Sequence, residues 1–336
     1  MSVIVVTGAA GHIGNNLVRV LLEQGHHVRA IVHHDRRAFE DLDVELADAD
    51  VCDAASLVAA FTGAEWVYHA AGHVTVATDE WPRLEAVNVR GTQNVVHACQ
   101  ECGVQRLIDF SSIEVLECNP LHTPMDESRP LIGRAHPSPY ARSKAAAEQQ
   151  VRQGLADGLN AVLLYPTAVI GPHDYRLGLP NEGLLGICNG SLAALVQGGF
   201  DWVDVRDVAR AAAVAGERAP SGGQYLLSGH WASLSELASL IQKLTGCQVP
   251  RLVVPMWLAR LSVPLMQAIS RISRSRPLFT AHALNSLCGN PLISHVRASR
   301  DLGYSPRRLE DTVADTVAWF AERGLLTRSN QPAGSV

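Results

Sequence analysis

The strongest chemical signal in the chain is a pair of residues one helical turn apart. Tyr140 and Lys144 begin and end the segment Tyr-Ala-Arg-Ser-Lys, and residues at i and i+4 of a helix share one face. A tyrosine hydroxyl is a poor acid at neutral pH, with a pKa of about 10. A neighbouring ammonium favours the phenolate and lowers that value, so the pair can give or take a proton while a hydride moves at a carbon. The chain has only two lysines, Lys144 and Lys243, against 26 arginines. With six tyrosines, coincidence would produce this spacing in roughly 4% of such chains. An ammonium has a tunable pKa whereas a guanidinium stays protonated, and a plain surface helix would be served as well by arginine. Ser111 and Ser112 follow the apolar run Arg106–Phe110, where an open parallel sheet places its ligands. A hydroxyl there can donate to a carbonyl oxygen and stabilise charge developing on it. Taken alone, a Ser-Ser at a strand end is more often a turn or a helix cap than a catalyst.

A second signal lies near the N-terminus. Gly8, Gly11 and Gly14, with His12 and Ile13 between the last two, follow the β-branched run Ser2–Val6 and open an amphipathic helix. Glycines there let the backbone turn tightly and approach a pyrophosphate, and the helix N-terminus offers free N–H groups. The chemistry implied is dinucleotide binding, with a tight structural turn as the plain alternative. An acidic residue closing the second strand would accept from an NAD ribose. Spacing nominates Asp35, yet it lies beyond the expected strand end at Val32. Arg36, Arg37 and His33 beside it could bind a 2′-phosphate, and the reading favours NADP over NAD. Asp50 and Val51, past the third strand, are placed to reach the adenine, although a turn aspartate reads equally well.

The elements that must position these groups alternate. Strands are expected at Ser2–Val6, Val28–Val32, Val44–Leu46, Trp66–His69, Arg106–Phe110 and Ala161–Tyr165. Helices are expected after Gly14 and at Ala54–Phe61, Pro82–Cys102 and Pro137–Leu155. Such alternation implies an α/β fold, a doubly wound parallel sheet of Rossmann type with helices on both faces. From Gly171 the rhythm breaks, with later helices at Leu234–Leu244 and Leu309–Ala321. The expected division is a cofactor domain over residues 1–170, a smaller and mainly substrate-binding lobe over 171–326, and a loose tail over 327–336. Some later segments are expected to return to the first domain.

Composition excludes several classes. A net charge of -5 leaves no basic footprint for nucleic acid. The apolar stretch Leu252–Ile269 is broken by Pro255, Arg260 and Pro264, so it reads as a packed helix, with peripheral membrane contact the alternative. The glycine loop begins at residue 8 and leaves no room for a signal peptide. Seven cysteines then read as reduced and cytoplasmic. Cys99 and Cys102 fall inside a helical run, and the histidines form no metal-ligand pattern, so no metal is expected.

Thr7–Gly14, Tyr68–Gly72 (YHAAG), Asn88–Thr92 (NVRGT), Phe110–Val115 (FSSIEV), Tyr140–Lys144 and Pro166–Pro172 (PTAVIGP) occur in an order that resembles the extended short-chain dehydrogenases/reductases, within the NAD-dependent epimerase/dehydratase superfamily. FSSIEV resembles the 3β-hydroxysteroid dehydrogenase branch. Asp201–Ala211 and the downstream YLLSGH look like bacterial proteins grouped with dihydroflavonol 4-reductases. The resemblance implies Tyr140 as acid/base, Lys144 as its partner and ribose contact, and Ser112 as the serine. It implies Ala70, Ala71, Gly72, Pro166 and Val169 along the cofactor, and a homodimer built on the helices of Pro82–Cys102 and Pro137–Leu155. His73, Glu114, Tyr175 and Arg176 are pocket candidates. Asp204 and Asp207 read as ties between lobes.

The expected activity is NAD(P)-dependent interconversion of a ketone and a secondary alcohol on a mid-sized, partly apolar substrate. The alternatives are a nucleotide-sugar epimerase or dehydratase with retained NAD, and a non-enzymatic NADP sensor. Three departures from the family pattern bear on this. Tyr165 stands where an arginine is usual, Leu116 and Glu117 replace a tyrosine and glycine, and Val32 stands where the acidic NAD marker is usual.

Overall fold

A computed structural model describes residues 3–33, 35–77, 79–273 and 281–327, with the side chains of 265–273 left out of the description. The tail expected beyond Leu326 lies, apart from Thr327, outside the described residues.

The first half runs β1 (Val3–Thr7), α1 (His12–Glu23), β2 (His27–Val32), β3 (Glu45–Asp48), α2 (Ala54–Phe61), β4 (Ala64–His69), α3 (Trp81–Leu84), α4 (Gly91–Glu101), β5 (Arg106–Phe110), α5 (Pro139–Ala156) and β6 (Ala161–Pro166). Then come β7 (Ala168–Ile170), α6 (Leu179–Cys188), β8 (Leu195–Val196), β9 (Gly199–Asp204), α7 (Val205–Arg218), β10 (Gln224–Leu227), β11 (His230–Ser233) and α8 (Leu234–Thr245). The chain ends with β12 (Val253–Val254), α9 (Met256–Ser273), α10 (Ala281–Ser286), α11 (Val296–Leu302) and α12 (Leu309–Glu322).

Seven strands form one sheet in the order β3-β2-β1-β4-β5-β6-β10, every pair parallel. Strand period 2 explains why its runs of Val, Ile and Leu bury both faces. Ile4, Val6, Val28 and Ala30 meet Leu17 and Leu21 of α1 and Val208 and Ala212 of α7. Val5, Ile31, Val67 and Leu107 meet α2, α4 and α5 through Leu57, Val95 and Val151. The strand order reverses between β1 and β4, the position at which such sheets bind dinucleotides.

The segment past Gly171 divides its loyalties. Helix α7 packs on α1 and β10 closes one edge of the large sheet. Strands β7, β9 and β11 make a small sheet covered by α6, α8 and α12 through Leu184, Leu237, Ile241, Val313, Val317 and Trp319. Arg307 joins the parts: its guanidinium donates to Asp207 at 2.8 Å and lies 3.4 Å from Asp204, which also holds Arg206.

Two expected elements take another form. The long helix over Pro82–Cys102 is interrupted by a π-turn at Glu85–Arg90, which separates α3 from α4. An extra residue in one turn breaks the 3.6 period without ending the helix, so apolar spacing cannot reveal it. The stretch Leu252–Ile269 begins as a short strand and becomes helix only at Met256. Among the described residues no helix is long and apolar enough to cross a membrane.

Candidate active site

The glycine loop is shaped by its own crowding. Gly8 has φ +65°, and a Cβ there would come within 2.5 Å of the Ala71 nitrogen and 2.6 Å of the Ala70 carbonyl. A Cβ on Gly14 would fall 2.3 Å from the Gly8 oxygen. Only glycine tolerates either position. Helix α1 begins at His12 behind Gly11, an N-cap that has no side chain to offer, so its first N–H groups remain for a ligand. Ala70 donates to Thr7 across the switch point, and Gly72 lies against Asn88. His12 and Ile13 anchor the loop: the His12 ring meets the carbonyls of Gly171 and Pro172, both at 3.1 Å, and Ile13 packs into the core under α1. Pro166 is buried at the end of β6, and Val169, half-buried in β7, packs against the same core as α1. These residues fit a dinucleotide laid across β1 and β4.

The end of β2 differs from the sequence-based picture. Arg37 grips Asp35 through two bonds, at 2.9 and 2.8 Å, and Arg36 grips Asp48 at 2.8 Å. Both arginines nominated for a 2′-phosphate therefore already hold carboxylates. Hydrogen bonding from Arg37 pulls the Asp35 carboxyl down to about 2, so it is anionic at neutral pH. His33 lies 3.7 Å from Asp50. The other oxygen of Asp50 accepts from the Cys52 nitrogen in its own turn, and Val51 packs on Gly91.

Ser138 and Pro139 start α5 as N-cap and first residue, the cap accepting from Ala141 at 3.0 Å; serine as cap and proline at the first helical position both fix a helix start. That start sets Tyr140 in the first turn, facing the end of β5. The two serines there separate by role. Ser111 donates inward to buried Glu148 at 2.7 Å, whereas Ser112 accepts from the Glu114 nitrogen at 3.2 Å and sits close enough to Tyr140 to act on its hydroxyl. Burial and the nearby Glu114 push the Tyr140 phenol above its ordinary pKa, while Ser112 pulls it down. Lys144, one turn on, donates from Nζ to the Phe110 carbonyl at 2.7 Å.

Beneath Lys144 lies a layer of polar groups that no motif marks. Buried Asp109 has an oxygen without a hydrogen-bond partner, and burial raises its pKa to about 6 against the opposing pull of Lys144. His69 bridges Thr7 and Thr92, and burial lowers its pKa to about 3. Glu148 takes bonds from Ser111, Arg152 and Tyr165, so the tyrosine that replaces the family's arginine is turned into this layer. In the π-turn, Asn88 exchanges two hydrogen bonds with the His73 backbone and donates to Ser143, which donates to the Tyr140 carbonyl. The π-turn thus braces the helix that carries Tyr140 and Lys144. A carboxylate inside the apolar run Arg106–Phe110 is the one sequence signal for this layer.

The pocket candidates separate. Glu114 stays beside Tyr140, and burial lifts its carboxyl to about 7. It is met from the C-terminal lobe by Ser286 at 3.4 Å and by His282 at 3.6 Å, and His282 also touches Ser138 at 3.1 Å. His282 was not foreseen, because only folding brings α10 to this place. The His73 ring is engaged with Glu80 at 2.5 Å. Tyr175 and Arg176 are corrected: they lie on the α1 flank. The Tyr175 hydroxyl accepts from Arg19 and its ring packs edge-on to Trp319, while Arg176 lies 3.8 Å from Asp35. The turn after Pro172 carries them toward β2 rather than toward Tyr140. Among the described residues no group of three or more His, Cys, Asp or Glu could hold a metal ion.

Residues 4–228 match the model of the NAD dependent epimerase/dehydratase family. The chain is 33% identical over 325 residues to sterol demethylase protein B of Methylococcus capsulatus, covering 96% of this chain and 99% of that one. It is 28% identical to a putative dihydroflavonol 4-reductase of Synechocystis, covering 95% and 94%. Among solved structures, that of gox2253 superposes with a TM-score of 0.84 at 30% identity, covering 97% of this chain and all of the other. The chain belongs to the NAD-dependent epimerase/dehydratase family, the extended short-chain dehydrogenases/reductases, and is an oxidoreductase.

Proposed function

We propose that this enzyme interconverts a ketone and a secondary alcohol on a mid-sized, largely apolar, ring-containing molecule. The observation that carries the reading is the meeting of Ser112 and Tyr140 at the end of β5, with Lys144 one turn on and the dinucleotide cradle alongside. The nicotinamide, when bound, supplies or accepts the hydride. The protein's groups handle the oxygen. Ser112 donates to the carbonyl oxygen and stabilises its developing charge. The Tyr140 hydroxyl delivers the proton to that oxygen in reduction and takes it back in oxidation. The Lys144 ammonium, fixed on the Phe110 carbonyl, stands where it can lower the cost of phenolate.

The substrate class is supported by the lobe rich in Leu, Val and Pro, by α10 closing over Glu114, and by two relatives whose names refer to a sterol and a dihydroflavonol. On the cofactor, the reading turns from NADP(H) to NAD(H), because an anionic Asp35 accepts from a ribose hydroxyl and repels a 2′-phosphate. We read the enzyme as a homodimer through α4 and α5, as its family suggests.

The test is Tyr140→Phe assayed on a panel of cyclic ketones with NADH. Turnover should fall by at least about 100-fold with cofactor affinity unchanged. Retention of more than a tenth of the turnover would remove Tyr140 from this role. Tightly retained NAD in the purified protein, with no net cofactor consumption on any ketone, would instead support the epimerase or dehydratase alternative.

A further inference from the structure

Helix α9 presents two unlike faces over its described turns. At about 100° per residue, Met256, Ala259 and Val263 share one side, and these pack on Val196, Leu284 and Leu287 of the lobe. Trp257, Leu258 and Leu261 share the other and stand 65%, 45% and 69% exposed. Leu252, four residues before the helix, is 64% exposed as well. Scattered exposed leucines need no explanation, but a tryptophan and three leucines gathered on one short segment do.

The charge along the stretch of sequence that contains this face is one-sided. From Leu237 to Arg300 the chain contains no Asp or Glu, yet it carries eight Lys or Arg. The whole protein is nevertheless net negative. Arg251 and Arg260 are exposed beside the apolar residues, Arg260 bonding to Asn285 of α10. An apolar face tipped with tryptophan and flanked by arginines is the pattern of a helix that lies in a membrane interface. The flanking cations seek the negative surface of anionic lipids. A second copy of the chain fits poorly, since a two-fold contact would press two acid-free basic segments together.

We propose that the outer face of α9, with Leu252, is a docking surface for an anionic phospholipid bilayer, on which the helix rests without crossing. The docking does not depend on the reaction assigned above. It places the bilayer next to α10, whose His282 and Ser286 reach Ser138 and Glu114 at the candidate active site.

The experiment is flotation of the full-length protein with vesicles of phosphatidylcholine, alone or with phosphatidylglycerol at about one third, in low and high salt. The wild-type protein should float with the anionic vesicles and be released by salt. Trp257→Ser with Leu261→Ser should lower the bound fraction at least about tenfold, with NADH binding and melting temperature kept as evidence of an intact fold. Arg251→Glu with Arg260→Glu, which leaves the apolar residues in place, should do the same if the first pair unfolds. Failure of the wild-type protein to float, or equal flotation of a folded variant, overturns the proposal. So does a change of mass from dimer to monomer in the Trp257/Leu261 variant without any vesicle binding, since the face would then be a contact between copies.

Discussion

Asp35→Ser should convert an NAD(H) enzyme into one that prefers NADP(H). In the wild-type protein Asp35 is held by two bonds from Arg37, with Arg176 3.8 Å away, and its depressed pKa keeps it anionic throughout the neutral range. A charge-assisted hydrogen bond to a ribose hydroxyl contributes about 1.5–3 kcal/mol, so its loss should weaken NADH about 10- to 150-fold. A 2′-phosphate near the carboxylate would meet a repulsion of about 1 kcal/mol in water, rising to about 4 kcal/mol at partly screened surface sites. The substitution removes that repulsion and leaves Arg37 and Arg176 for the phosphate. The two effects act in opposite directions on the two cofactors, so the ratio of affinities should move by at least about 60-fold. Fluorescence titration with NADH and NADPH measures it, after mass spectrometry has checked for co-purified nucleotide. Tenfold tighter binding of NADPH by the wild-type protein would refute the reasoning at its root. An unchanged ratio in the variant would show that Asp35 does not face the ribose.

Glu114→Gln should flatten the pH profile of ketone reduction. The Glu114 carboxyl titrates at about 7 beside Tyr140, and its ionisation above that pH makes the phenol a weaker proton donor, so the wild-type rate should bend downward near pH 7 and the variant's should not. Asp109 should make the fold less stable as pH rises from about 4 to 6, because the folded state binds more protons than the unfolded state in that window. The loss is roughly 3 kcal/mol, and urea melts of the wild-type protein and Asp109→Asn at pH 4 and pH 8 should show it in the wild-type protein alone. Gly8→Ala should abolish dinucleotide binding, since a non-glycine residue at φ +65° costs about 1–2 kcal/mol and the methyl meets the backbone of Ala70 and Ala71; unchanged NADH affinity by titration would show that the loop is not the cradle.

The parts of this protein legible in its sequence are those that local chemistry dictates. Glycines at 8, 11 and 14 are demanded by backbone crowding, which acts over a few residues, and Tyr140 and Lys144 share a face because a helix has a fixed pitch. Ala54–Phe61 and Arg106–Phe110 form where apolar periodicity and flanking turn residues place them. The π-turn at Glu85–Arg90 escapes such reasoning because its cause is tertiary: Asn88 is held by the His73 backbone and by Ser143, neither of which is near it in sequence.

Charged side chains are less legible still, because a charge on paper has no partner. Arg36 and Arg37 read as phosphate ligands until folding sets Asp48 and Asp35 within 3 Å of them. Tyr175 and Arg176 follow a motif that borders the substrate, yet one turn of chain sends them to Arg19 and Asp35. The same physics explains why Asp109, the least conspicuous acid in the sequence, matters at the site. Water solvates a surface carboxylate wherever it falls, whereas a carboxylate buried beside Lys144 must be answered by that lysine or by a proton. Lys144 therefore answers a buried acid, and in the proposed mechanism it also serves the phenol of Tyr140. An arginine at position 144 could not be tuned between them, which ties the single lysine in this half of an arginine-rich chain to the layer beneath it.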